Sequence, residues 1–180
     1  MNRKYLFSFL ALLLVLPIVT NAQQAQYPII KEYGGIYKVP GAVNPDMDIN
    51  YKIVVDLKTN QPDKDKINRG LNNVARMMNL HGLGGVPAEK MQVAVAVHGN
   101  ATDVILNNRT YSDKYGMDNP NMPLIEALNE AGVELYVCGQ SLLGRGYEHG
   151  QVHEEVTIGL SMLTVVTEHM HEGYKLLVFE

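Results

Sequence analysis

The sequence predicts a single α/β domain: a three-layer fold in which about five mainly parallel strands carry helices on both faces. Two observations predict it. Short segments dense in β-branched residues alternate with longer stretches whose apolar residues recur at helical spacing, the pattern of βαβ units. The segment "MQVAVAVHG" is apolar on both of its faces, as a central strand covered from two sides must be. Right-handed crossovers then place helices on both faces of the sheet. No internal repeat or low-complexity tract interrupts the pattern.

The elements follow in order. "YKIVVDL" is the first strand, closed by a polar break that contains Pro62. Residues 63–80 form a helix, because Ile67, Leu71, Val74, Ala75 and Met78 share one face. The glycines of "HGLGG" end it. "MQVAVAVHG" is the second strand, and Asn100 or Thr102 is placed to cap a short helix after it. "RTYSDKYGMDNPNMP" is polar and turn-rich and reads as a loop. "PLIEALNEAG" is a helix with Gly132 at its end, and "VELYVC" is the third strand. Ser141 is placed to open a short helix. "EVTIGL", "SMLTVVTEHMHEG" and "YKLLVF" complete the domain as strand, helix and strand.

What precedes the domain has a different character. Residues 1–22 combine a basic start (Arg3, Lys4), an apolar run broken at Pro17, and the small residues before Ala22. That order marks a secretory signal peptide cut after Ala22. Its apolar run is shorter than the roughly 20 residues a membrane span needs. The expected location is therefore periplasmic or extracellular, with no stable membrane insertion after cleavage. Residues 23–50 are rich in Gly, Pro and Tyr without a period and read as an irregular arm, leaving residues 51–180 as the domain. Removing Arg3 and Lys4 takes the formal charge from −4 to −6. An acidic domain without a basic patch argues against a nucleic-acid partner.

Exported domains of this size often use disulfides, but this chain has one cysteine, Cys138. An odd thiol in an oxidising compartment is either a small apolar core residue or a reactive group. A strand end is an ordinary place for a buried cysteine, but a dispensable thiol in an oxidising compartment risks unwanted disulfides, which weighs against a packing role alone. Cys138 ends a strand, directly before "GQSLLGRG", and "VAVHGNAT" ends a second strand in a similar turn. In open α/β sheets ligands gather at such carboxyl ends. If the two strands are neighbours, His98 stands beside Cys138 as its base. Gly139, Gln140 and Ser141 then supply amide groups to the sulfur, and Arg145 supplies a nearby cation.

Other constellations are weaker. His149 and His153 have i, i+4 spacing beside Glu154 and Glu155, and His169 and His171 form a second pair, but Gly150 interrupts the first. No HExxH or CxxC spacing occurs, so no metal is expected. Neither "HGLGG" nor "CGQSLLGRG" fits a phosphate-binding loop, and Ser141 and Ser161 lack a GxSxG frame. No cofactor is expected.

Taken together, "YKIVVDL", "LNNVARMMNLHG", "VAVAVHGNAT", "NPNMPLIEALNEAGVELYVCGQSLLGRGY" and "VTIGLSMLTVVTEHMHEGYKLLVF" resemble the DsrE family of small sulfur-trafficking proteins. The nearest likeness is to its exported DsrE-like branch. The resemblance implies a five-stranded α/β sheet and a trimeric or hexameric assembly. It also implies a cysteine at Cys138 that carries sulfur as a persulfide and passes it to an external acceptor thiol or sulfur-carrier protein. The alternative is a binding or assembly module in which Cys138 only packs. A third reading is a redox sensor that forms a disulfide between copies.

Overall fold

The computed structural model describes residues 23–179. Its strands are β1 (Tyr51–Leu57), β2 (Met91–Val97), β3 (Val133–Cys138), β4 (Val156–Gly159) and β5 (Lys175–Phe179). They form one sheet in the order β4-β3-β2-β1-β5, and every neighbouring pair is parallel. The helices are α1 (Arg69–Leu83), α2 (Asn108–Tyr115), α3 (Met122–Glu130), α4 (Gly139–Arg145) and α5 (Met162–His171). The chain steps from β1 through β4 in one direction and then returns past three strands to place β5 beside β1. Right-handed crossovers put the three outward connections on one face and the return helix α5 on the other.

The two faces are unequal. Along β1, Ile53, Val55 and Leu57 point into a large core with Leu71, Val74 and Met78 of α1 and Leu124, Ile125 and Leu128 of α3. The alternate residue Val54 joins Ala94 and Ala96 of β2 under Val165 and Val166 of α5. The strand period of two thus sorts one sequence into a thick layer and a thin one.

Several helices differ from the sequence expectation at their starts or in kind: α4 begins at Gly139 instead of Ser141, and the short helix after β2 spans Gly99–Ile105 with His98, not Asn100 or Thr102, at its cap. Helix α1 begins at Arg69, six residues after the start of the predicted span. Asn68 sets that start: its side-chain oxygen accepts the Gly70 and Leu71 N–H groups at 2.9 and 3.1 Å. The predicted loop after Asn108 instead contains α2. Its polar residues hide any apolar period, but its ends are well signalled. Asn107 accepts the Thr110 N–H at 2.9 Å, and Gly116 closes the helix in the left-handed region at φ 74°. Buried Tyr111 anchors it, donating its hydroxyl to Lys64 O at 2.8 Å.

Residues 23–50 contain one isolated bridge, between Gln26 and Ile36, and are held against α1 by Asn79. This fully buried side chain accepts the Ile29 and Ile30 N–H groups at 2.9 and 2.8 Å. Its amide donates to Ile30 O at 3.1 Å and Tyr33 O at 2.9 Å. A buried amide on a helix face thus replaces the missing secondary structure of the arm. Among the described residues no helix is long and apolar enough to cross a membrane.

Candidate functional site

The carboxyl ends of β1, β2 and β3 bring three reactive side chains to the α5 face of the sheet. Residue alternation puts them there. Val55, Leu57, Val97 and Val137 belong to the thick core, so Asp56 and Cys138 point the other way. Val97 pairs with Val137, so the next residues, His98 and Cys138, leave the sheet side by side. Neighbouring strands are about 4.8 Å apart.

Cys138 is buried, at 5% exposure. Its Sγ lies 3.9 Å from Ser161 Oγ. Burial, the largest single influence, pushes the thiol up. It is outweighed by hydrogen bonds from the Ser141 hydroxyl, the Met162 N–H, the Ser141 N–H and the Ser161 hydroxyl, which hold the thiol below its ordinary value. Two of these donors, Ser141 and Met162, are first-turn amides, which have no partner inside their own helices. Ser161 caps α5, accepting the Leu163 N–H at 3.2 Å, while Thr164 Oγ1 accepts the Ser161 N–H at 3.3 Å. The sulfur therefore sits where α4 and α5 both begin.

Small residues make this convergence possible. A Cβ on Gly139 would stand 2.9 Å from Gly159 O, and one on Gly159 would run into Val165. Gly159 pairs with Cys138 across the β3–β4 ladder. The glycines let the end of β4 and the start of α5 close over the thiol.

The residues singled out in the sequence are distributed unevenly around it. Ser141 is at the sulfur, and its Oγ also accepts the Gly99 N–H at 3.3 Å. Gly139 lines the approach of β4. The Gln140 side chain donates to Leu160 O at 3.4 Å, and Arg145 Nη2 donates to Asn100 Oδ1 at 3.0 Å. His98 stands next to Cys138 in the strand order, but its Nε2 pairs with Asp56 Oδ1 at 2.6 Å. The groups that lower the thiol are serines and amides, so hydrogen bonding rather than an adjacent imidazole favours the thiolate.

His153 illustrates why a metal does not fit the i, i+4 histidines. Its Nδ1 accepts the Glu155 N–H at 3.2 Å, which places the ring proton on Nε2 and leaves no lone pair free. Among the described residues no three His, Cys, Asp or Glu side chains are grouped to hold a metal.

The family model described as "DsrE/DsrF-like family" matches residues 52–179. The chain belongs to this family. Membership carries a sulfur-relay role at the level of the family. No curated protein matches the chain. Among solved structures it is similar to the protein of unknown function MTH1491 from Methanobacterium thermoautotrophicum, at 16% identity and a TM-score of 0.54. It is also similar to the ychN protein from E. coli, at 18% identity and a TM-score of 0.54. Both matches cover 72% of this chain and 99% of the other. At these identities they show the DsrE-like fold alone.

Sequence reasoning missed three participants. Asp56 looked like a polar residue in a strand, and only the β1–β2 register brings it to His98. Ser161 carried a signal, since "SMLT" has capping-box spacing, but its nearness to Cys138 depends on the β3–β4 pairing. Met162 contributes through its backbone N–H, which no side-chain pattern reveals.

Proposed function

We propose that this chain is an exported sulfur carrier that holds sulfane sulfur as a persulfide on Cys138 and passes it to an external thiol. The observation that carries the reading is the position of the lone sulfur, 3.9 Å from Ser161 Oγ where α4 and α5 both begin, among groups that hold its thiol below the ordinary value. A thiolate is the species that attacks a polysulfide and also the species that leaves when the outer sulfur is transferred. The same donors serve both steps. With one cysteine in the chain, release requires an outside thiol. Export is supported by the signal-like order of residues 1–22, which lie outside the described residues.

Self-assembly is part of the proposal. Leu160, Leu163, Met170 and Val178, on or beside α5 and β5, are large apolar side chains each about half exposed or more. Soluble proteins seldom leave such a set uncovered.

The reading is tested by alkylating the folded mature protein with iodoacetamide across a pH series. Labelling of Cys138 without denaturant, with a midpoint below that of an ordinary free thiol, is expected. Labelling only after unfolding would assign Cys138 to packing and favour the binding-module alternative.

A further inference from the structure

The cradle leaves His98 and Asp56 without a part in activating Cys138, although both sit at the same sheet edge and on the same face. Their geometry is that of an oriented base. Asp56 Oδ1 lies 2.6 Å from His98 Nε2, and the two side chains are 20% and 17% exposed. A carboxylate oxygen accepts, so the ring donates Nε2–H to Asp56, and the neutral imidazole then carries its lone pair on Nδ1. Among the described residues Nδ1 has no hydrogen-bond partner, and it is not sealed from solvent. The backbone is fixed as well: the His98 N–H donates to Leu57 O at 3.0 Å, and the following Gly99 N–H donates to Ser141 Oγ. One turn therefore ties the imidazole to the serine that holds the sulfur.

We infer that His98 is the general base for the incoming acceptor thiol, not for Cys138, and that Asp56 is its positioning residue. The inference rests on the persulfide reading above. An acceptor R–SH gives its proton to His98 Nδ1. The thiolate R–S⁻ attacks the outer sulfur of Cys138–S–SH and forms a new S–S bond. The bond between that sulfur and Cys138 Sγ breaks, and its electron pair returns to Sγ as a thiolate held by Ser141, Ser161 and Met162. The products are R–S–SH and the Cys138 thiolate, with the proton on the imidazolium and then released to solvent. No outside oxidant or reductant is consumed. The substrate class that needs this arrangement is an alkyl thiol, which is mostly protonated at neutral pH and attacks poorly without a base.

The test uses two acceptors on polysulfide-loaded protein, with loading verified first by mass. One acceptor is 2-mercaptoethanol, mostly protonated at neutral pH. The other is thionitrobenzoate, already ionised. In His98→Asn, transfer to 2-mercaptoethanol is expected to fall on the order of a hundredfold, while transfer to thionitrobenzoate stays at the wild-type rate. Asp56→Asn should slow the 2-mercaptoethanol reaction by no more than the loss of His98 itself does, up to the order of a hundredfold, and move the His98 ring proton from Nε2 to Nδ1, read by 15N chemical shifts of the ring. Equal slowing with both acceptors, or no slowing with either, overturns the role for His98. Wild-type protein that takes up no sulfur overturns the carrier reading and this inference with it. Loaded protein that passes sulfur indifferently to both thiols in wild type and variant leaves the carrier standing and removes only the base.

Discussion

The two faces of the sheet are built from the same five strands and do different work. Beneath α1 and α3, alternate residues of β1, β2 and β3 meet fully buried Leu71, Val74, Met78, Leu124 and Leu128. On the other face, among the described residues, only α5 covers the sheet, and its buried contacts reduce to Val54, Ala94, Ala96, Val165 and Val166. Asp56, His98 and Cys138 all lie at the carboxyl edge of this thin face. A thick layer can hold the fold alone, so the opposite layer is free to place polar and reactive groups at strand ends. That division fits the general habit of α/β sheets, in which sites form at strand carboxyl ends and the stabilising core lies elsewhere.

The comparison can be broken most directly by emptying each layer in turn. Leu71→Ala, in the thick layer, should cost about 3 kcal/mol of unfolding free energy, because a close-packed site cannot collapse around the missing atoms. Val166→Ala, beneath α5, should cost about 1 kcal/mol. Urea titrations that gave equal losses would mean that the two layers are not unequal in energy. The effect most specific to chemistry belongs to the cradle. Ser161→Ala should raise the Cys138 thiol toward its ordinary value and slow alkylation at neutral pH by roughly threefold to tenfold. The sign for stability follows from the lowered thiol. Its contribution is complete above the ordinary thiol value and disappears as pH falls through the lowered one. Ser161→Ala should therefore weaken that pH-dependent part of the stability, on top of a pH-independent loss of about 1 kcal/mol from the missing α5 cap. An unchanged pH profile would show that the hydroxyl does not act on the sulfur.

Much of the fold was legible because periodicity reports local geometry. The β-branched run of Tyr51–Leu57 and the apolar stripe through Leu71, Val74 and Met78 each specify one element without outside help. Helix α2 was not legible, since it is stabilised by Asn107, Gly116 and the buried anchor Tyr111 instead of an apolar stripe. The start of α1 was obscured for a related reason: Asn68 is one of several polar residues able to cap, and its choice depends on tertiary contacts such as Asn121 Oδ1, which accepts the Asn68 N–H at 2.6 Å. Around Cys138, the sequence shows Ser141 as a neighbour because it stands only three positions further along the chain. Asp56 and Ser161 lie 82 and 23 positions from Cys138 and meet the site only through strand register, which a single sequence does not display. The chain order places His98 beside the Cys138 strand end, but its partner Asp56 is set by the β1–β2 register, which the sequence alone does not display.

The central claim is that Cys138 holds sulfur. The most direct test is the intact mass of the mature protein after exposure to polysulfide, with Cys138→Ser treated in parallel. The account predicts that wild type alone gains one or more sulfur atoms and loses them to cyanide or a reductant. An unchanged wild-type mass, or the same gain in Cys138→Ser, would contradict it.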